Sequence, residues 1–248
     1  MERLVFRALR GLPAVEPGAD LAALVADAAT KSGVALAGGV LAVCQKIVSK
    51  AEGRVVDLRG VEPRAEAEKI AAEGGKDPRH VEVILRETRR VVRRGPGVLI
   101  CETAHGFVCA NAGVDLSNAP SDDVAVLLPL DPDLSARRLR DGLVARGAGP
   151  LGVIVTDTFG RPFREGLVDV ALGCAGLAPL DDLRGRPDLR GRTLQVTTVA
   201  TADALAAAAG LLMRKDAGVP AVWIEGVPLA ADASARVLLR DPKLDLFR

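Results

Sequence analysis

Tyrosine is absent from this 248-residue sequence, and the whole aromatic fraction is only 2%. With so few rings, Val, Leu, Ile and Ala must fill the core, and stacking platforms of the kind that hold single-stranded nucleic acid are scarce. Charge of one sign is equally lacking. The 33 basic and 32 acidic residues leave a net charge of +1, so no global field draws the chain to DNA, RNA or an anionic membrane. Any bound anion must be met by local charge. The longest uncharged apolar stretches, around Val34 to Cys44 and Ala204 to Met213, fall well short of the ~20 residues that a spanning helix needs. The start of the chain mixes Glu2, Arg3, Arg7 and Arg10 with single apolar residues and lacks the apolar centre of a signal peptide. The four cysteines, Cys44, Cys101, Cys109 and Cys174, show no C-x-x-C spacing and read as small buried thiols of a reducing compartment. A soluble, cytoplasmic protein is the expectation.

The common catalytic and nucleotide signatures are missing as well. Gly75-Lys76 fails as a P-loop twice, with Ile70 at the first glycine position and Asp77 after the lysine. Gly95-Pro96-Gly97 fails as a dinucleotide fingerprint because Ile100 stands where Gly or Ala is required. Two histidines, His80 and His105, do not make a histidine-rich zinc site, and no G-x-S-x-G elbow is present.

What is present is 49% hydrophobic and 26% charged, enough apolar residue for one large or two modest cores. Asp20 caps an expected helix with Leu21, Leu24 and Val25 at helical spacing and Gly33 at its end. A strand follows to about Val43. Helices are expected over Pro63 to Gly74, Pro78 to Arg94, Asp133 to Ala145 and Ala202 to Met213. Strands are expected over Val98 to Glu102, Val124 to Leu128, Gly152 to Thr156 and Leu194 to Thr198. No repeat and no linker divides the chain. The expected fold is α+β or mixed α/β, a single domain of residues 1–248 in two intimately packed lobes, with the topology left open.

Three polar clusters interrupt apolar strands, where ligand-contacting loops sit. In Gln45 to Gly53, Lys46 and Lys50 are four apart, as in a phosphate-contacting turn; a solvated lysine-rich strand end has the same look. Glu102 to Asn118 strings Asn111, Asp115, Ser117 and Asn118 along a segment otherwise fit for burial, either a cation site or an Asx-rich turn. There His105 reads as structural or as a supporting donor. Val155 to Gly166 delivers Asp157 and Thr158 to a strand tip beside Arg161 and Arg164, a set that suits a metal-bound polyphosphate; the alternative is a capped turn with an Asp157 to Arg161 surface pair.

These residues carry a resemblance. Gln45 to Gly53, the Phe-Val-Cys-Ala-Asn-Ala-Gly-Val-Asp run within Gly106 to Asn118, Asp157 to Glu165, Gly11-Leu12-Pro13 with Pro17-Gly18, and Val199 to Gly226 are together similar to the coenzyme F420-0:L-glutamate ligase family, in register over essentially the whole chain. The resemblance implies a homodimeric, compact ligase without the reductase-like C-terminal domain that some members carry. It would use GTP to attach γ-linked L-glutamate to the lactyl carboxylate of F420-0 through an acyl phosphate.

It further implies that Leu12, Pro13, Ala14 and Val15 cradle the guanine nucleotide, with contacts from Gln45, Lys50 and Asn118. Asp115 and Asp157 match divalent-metal ligands and Thr158 a second metal position, for two Mg²⁺ or Mn²⁺ ions per subunit, with K⁺ as a further cation. Met213, Arg214, Lys215, Asp216, Ala217, Gly218, Val219 and Pro220 match another nucleotide-contacting stretch. Three departures stand out. Arg214 replaces a common glycine, and Lys215 holds a position that carries an oxygen-bearing side chain in other members; a lysine cannot ligate a cation, so this loop is expected to meet phosphate. Gln45 stands where relatives often have Ser or Thr. Phosphoryl transfer asks mainly for positioning and charge neutralisation, which Asp115 and Asp157 with the metal, plus Lys50, Arg161 and Arg164, can supply. A metal-dependent nucleotide phosphohydrolase and a non-catalytic GTP-binding regulatory protein are the competing readings.

Overall fold

The computed structural model describes residues 3–117, 121 and 123–246. In chain order the elements are β1 (Val5–Leu9), α1 (Leu21–Lys31), β2 (Gly39–Cys44), α2 (Gln45–Ala51), β3 (Val55–Asp57), α3 (Ala65–Gly74), α4 (Pro78–Arg86), β4 (Thr88–Gly95), β5 (Val98–Thr103), β6 (Val108–Ala110), β7 (Val124–Val126), α5 (Pro132–Val144), β8 (Leu151–Arg161), β9 (Arg164–Ala175), β10 (Asp181–Asp182), β11 (Thr198–Val199), α6 (Thr201–Gly210) and β12 (Ala221–Glu225). The fold is mixed α/β.

A five-stranded sheet in the order β1-β12-β2-β8-β9 is the frame. Only β2 and β8 run parallel; the other neighbours are antiparallel. The central strands are apolar without interruption because both faces are covered. Leu41, Val43, Val153, Val155 and Trp223 pack with α1 and α5 on one face. Val40, Ala42, Ile154, Val222 and Ile224 pack with α6 on the other. The two-residue period of a strand thus sorts one continuous apolar run into two cores.

The chain from β3 to β7 makes the second lobe. Its own core gathers Leu58, Ile70, Val81, Ile84, Leu99 and Leu127 beneath the β4-β5-β6 sheet and the β3-β7 pair. Phe107, Cys109, Leu128 and Leu172 form a smaller cluster between the lobes, where Phe107 meets Phe159 edge-on at 6.3 Å. His105 stacks on Phe107 and donates from Nε2 to the Pro129 carbonyl at 2.9 Å, a structural role.

Several expectations need correction. The helix expected over Pro78 to Arg94 stops at Arg86, and Thr88–Gly95 is strand β4. The Gly95-Pro96-Gly97 turn, with Gly97 at φ 69°, folds β4 back onto β5, and Val91 and Val92 suit a strand better than a helix. The strand expected over Leu194 to Thr198 is irregular up to its last residue: Leu194 bonds to the loop at Gly185 and Arg186, leaving only Thr198–Val199 paired with β10. The Gln45 cluster is not a turn but helix α2. The helix expected over Ala202 to Met213 ends at Gly210. All four cysteines are free; Cys101, Cys109 and Cys174 are buried and Cys44 half-buried. Among the described residues no helix is long and apolar enough to cross a membrane.

Candidate active site

The parallel pairing of β2 with β8 ends with Cys44 opposite Thr156. Crevices outside the carboxyl ends of parallel strands are the usual ligand positions in α/β folds. Here the crevice is a cavity of about 500 Å³ with walls from both lobes. The loop after β1 supplies Leu12 to Ala14, α2 supplies Lys46, Ile47 and Lys50, and the second lobe supplies Ala110 to Asp115. β8 continues past the sheet edge and delivers Asp157 and Thr158; the loop between α6 and β12 closes the rim.

Asp115 is aimed by a strained turn. Asn111 and Ala112 both adopt φ 53° and Gly113 φ 72°, left-handed backbone that costs a side-chain-bearing residue about 1 kcal/mol or more. The Asn111 Oδ1 secures the turn by accepting from the Leu99 amide at 3.2 Å. Beyond the turn, Asp115 bonds through its backbone to Val126, amide to carbonyl 3.0 Å and carbonyl to amide 2.9 Å. Its carboxylate accepts from the Ser117 amide at 2.7 Å and the Ser117 hydroxyl at 2.9 Å, and pairs with the Lys46 ammonium at 2.7 Å. Burial acts to raise its pKa, but the Lys46 and Ser117 donors outweigh it, so Asp115 lies below the usual carboxylate range.

Asp157 is in the opposite condition. Burial, opposed by the Thr158 amide and Lys46 and reinforced by the charges of Asp115 and Asp169, pushes it up to about 7. Asp169, on β9, is also raised by burial, which the hydroxyls of Thr158 and Thr156 partly offset. Thr158 donates to Asp169 at 2.7 Å. Lys50 lies on the same face of α2 as Lys46, one turn on, and Lys215 reaches within 3.9 Å of Asp115.

This donor set fits a divalent cation. Carboxylates and hydroxyls are hard oxygen donors, and burial disfavours the ionised form of Asp157 until a cation joins it. Among the described residues no group of three His, Cys, Asp or Glu forms an all-protein cage.

Of the residues expected at a site, Leu12, Pro13, Ala14, Lys50, Asp115, Asp157, Thr158, Met213, Arg214, Lys215, Gly218, Val219 and Pro220 line the cavity. Others do not. Val15 is buried in the core against α1. Gln45 is fully buried and accepts from Ser49 at 2.7 Å, its amide nitrogen without a partner. Asp216 pairs with Arg214 at 2.9 Å, and Ala217 packs on the α6 core. Arg161 and Arg164 sit at the exposed tip of the β8/β9 hairpin, where Arg161 donates to the Glu165 carbonyl at 2.5 Å; the alternative surface pair with Asp157 is not formed, and neither arginine lines the cavity. Asn118 lies outside the described residues.

Lys46, which the sequence pairs with Lys50 as a phosphate-contacting group, lines the cavity, as do Thr156 and Asp169, which the sequence reading does not single out. Lys46 had a signal, its four-residue spacing from Lys50, which becomes a shared face once the segment is helical. Asp169 had none, since its place follows from strand register alone.

The chain matches the family model for F420-0:gamma-glutamyl ligase over residues 11–226. It is 47% identical to the coenzyme F420:L-glutamate ligase of Methanothermobacter thermautotrophicus, over 97% of each chain. Against the protein of the same name from Methanopyrus kandleri it is 49% identical, over 94% of this chain and 93% of the other. The corresponding values for Haloarcula marismortui are 41%, 97% and 94%. With a cavity in which two carboxylates converge on lysines from two further segments, the chain belongs to the F420-0:gamma-glutamyl ligase family.

Proposed function

We propose that this protein joins the amine of L-glutamate to the lactyl carboxylate of coenzyme F420-0 and adds further glutamates by γ-linkage, consuming GTP, as a step of coenzyme F420 biosynthesis in the cytoplasm. The observation that carries the reading is the convergence of Asp115 and Asp157 with Lys46, Lys50 and Lys215 on one cavity, the charge pattern a metal-bound polyphosphate requires.

A carboxylate is a poor electrophile and must first be activated. An oxygen of the acceptor carboxylate attacks the γ-phosphorus, the bond to the β,γ-bridging oxygen breaks, and GDP leaves with that electron pair. The amine of glutamate then attacks the acyl carbon, inorganic phosphate departs, and the nitrogen loses a proton. Lys50, Lys46, Arg214 and Lys215 bind and orient the phosphates, and Leu12 to Ala14 hold the nucleoside end. Asp115, Asp157 and Thr158 would hold Mg²⁺ or Mn²⁺, two per subunit, with K⁺ as a further cation. Bound there, the metal supplies neutralisation of charge on the transferring phosphoryl group. The cavity walls keep water from the acyl phosphate until the amine is in place. Arg161 and Arg164 take no part within one subunit. Exposed Phe163, Leu167, Leu189 and Val196 are apolar surface that a homodimer would bury.

Purified protein given F420-0, L-glutamate, GTP and Mn²⁺ should yield products heavier by whole glutamyl residues, with one GDP formed per addition. Omitting either acceptor should stop sustained GDP release. Full-rate GTP hydrolysis without acceptors and no glutamylated product by mass spectrometry would make the protein a phosphohydrolase; GTP binding with no turnover at all would make it a regulatory subunit.

A further inference from the structure

Thr158 and Asp169 face each other across the β8/β9 ladder, flanked by the pairs Asp157 with Val170 and Thr156 with Ala171. Directly opposed residues stand side by side on one face of a sheet, so their contact is built into the register. The Thr158 hydroxyl donates to Asp169 Oδ1 at 2.7 Å. Both residues line the cavity, and so does Thr156, which is fully buried.

A second element makes room for Asp169. Gly210 closes α6, and a Cβ built there would fall 2.8 Å from Asp169 Cγ and 3.0 Å from its Oδ2. Glycine is a poor helix residue. Here its missing side chain is the volume the carboxylate occupies.

We infer that Asp169 is a positioning residue for Thr158, seated by Gly210, in the cation site of this enzyme. The inference rests on the reading of Thr158 as a cation position. A hydroxyl has one proton and two lone pairs. With the proton committed to Asp169, the lone pairs of Thr158 Oγ1 are the part of the group left for a cation. Acceptors outside the ligand shell orient metal ligands in this way, and removing one typically costs ~10- to 100-fold in metal affinity.

The test is Mn²⁺ binding to the purified enzyme, followed by electron paramagnetic resonance of the free ion, with and without GDP. Asp169→Ala should weaken Mn²⁺ binding by ~10- to 100-fold and leave GDP affinity without metal unchanged. Asp169→Asn, whose amide oxygen still accepts the Thr158 proton, should bind Mn²⁺ close to the wild type. Thr158→Val should lose as much as Asp169→Ala, with no further loss in the double variant, because the two act as one unit. Gly210→Ala, folded as judged by circular dichroism, should reproduce the loss by displacing Asp169. Wild-type Mn²⁺ binding in Asp169→Ala, equal loss in the Asn and Ala variants, or additive losses in the double variant would each overturn the inference. Asp115→Asn and Asp157→Asn separate its failure from that of the underlying reading. If they abolish Mn²⁺ binding and Asp169→Ala does not, only the role of Asp169 falls; if they too bind normally, the cation site itself is wrong.

Discussion

The ammonium of Lys46 sits 2.7 Å from the carboxylate of Asp115 and 2.7 Å from the hydroxyl of Ser117, joining α2 of the central-sheet lobe to the end of the strained turn in the second lobe. The pair spans the cavity wall, and both members line or border the cavity. Lys46→Met keeps the aliphatic stem and removes the charge. It should cut turnover by ~10²-fold, the typical cost of losing one electrostatic contact to a transition state. Asp115→Asn and Asp157→Asn should cost at least as much while the far-ultraviolet dichroism stays native. Steady-state kinetics at saturating Mn²⁺ check all three, and near-wild-type turnover in both aspartate variants would remove the site assignment.

Glu82, outside the site, contributes to acid stability. Its side chain is 2% exposed and is held by Arg64 at 3.0 Å and Arg86 at 3.0 Å. Burial acts to raise its pKa, but the Arg64 amide, the Arg64 guanidinium and Arg86 together bring it below the ordinary glutamate value. A carboxyl group with a depressed folded pKa gives stability that is present above its unfolded pKa and is lost as pH falls through the folded one. Glu82→Gln should therefore lower the melting temperature at pH 7, by the equivalent of about 2 kcal/mol for a charge-assisted hydrogen bond. The gap to wild type should close on acidification below the usual glutamate range. Thermal melts across pH measure both; a gap that widens in acid would contradict the assignment.

Gly173 decides whether β9 can pass α5. A Cβ there would lie 2.1 Å from the Pro132 carbonyl carbon and 2.3 Å from its oxygen, both backbone atoms that have no rotamer with which to yield. Gly173→Ala should destabilise by ~3 kcal/mol, the upper end of ordinary overpacking, lowering the melting temperature by roughly 10 °C for a chain of this size. Because β9 also carries Asp169, activity should fall with it. Differential scanning calorimetry at one pH is sufficient.

Local signals served for the elements that a short window determines. Asp20 does cap α1, accepting from the Ala23 amide at 3.0 Å, and the apolar runs at Val34 to Val43 and Gly152 to Thr156 contain the two parallel strands. β9 was not legible: glycines at 166 and 173 and a register shift opposite Val155 and Thr156 blur its alternation. Nor was β4, whose arginines and paired valines become a strand only because the next turn offers a partner. In the site, Asp115 and Asp157 stand out as polar residues in apolar company, and the cavity contains both. Arg161 and Arg164 look equally suited by composition, yet a hairpin that runs on past the cavity carries them away from it. Asp169 illustrates the limit: its meaning comes from a residue on the opposite strand and a gap in a helix, and no spacing rule contains either.

Lys215 brings a cationic side chain to the acidic wall of the cavity. Its ammonium is 3.9 Å from Asp115 Oδ2, on a side chain 59% exposed, close enough to compete with a cation for that carboxylate and mobile enough to swing to a phosphate. Two unit charges at that separation interact by ~4 kcal/mol at an effective dielectric of 20 and by ~1 kcal/mol in water; exposure puts the pair near the lower figure. Lys215→Gln removes the competing charge and supplies an amide oxygen. Mn²⁺ affinity without nucleotide should then rise, by up to ~5-fold for ~1 kcal/mol. GTP affinity should fall by a similar factor, because a phosphate contact is lost. Calorimetric titration of Mn²⁺ and of GTP into the two proteins gives both numbers. A fall in both affinities would mean that Lys215 supports the loop rather than the phosphates, and a fall in neither would place the side chain in solvent throughout the cycle.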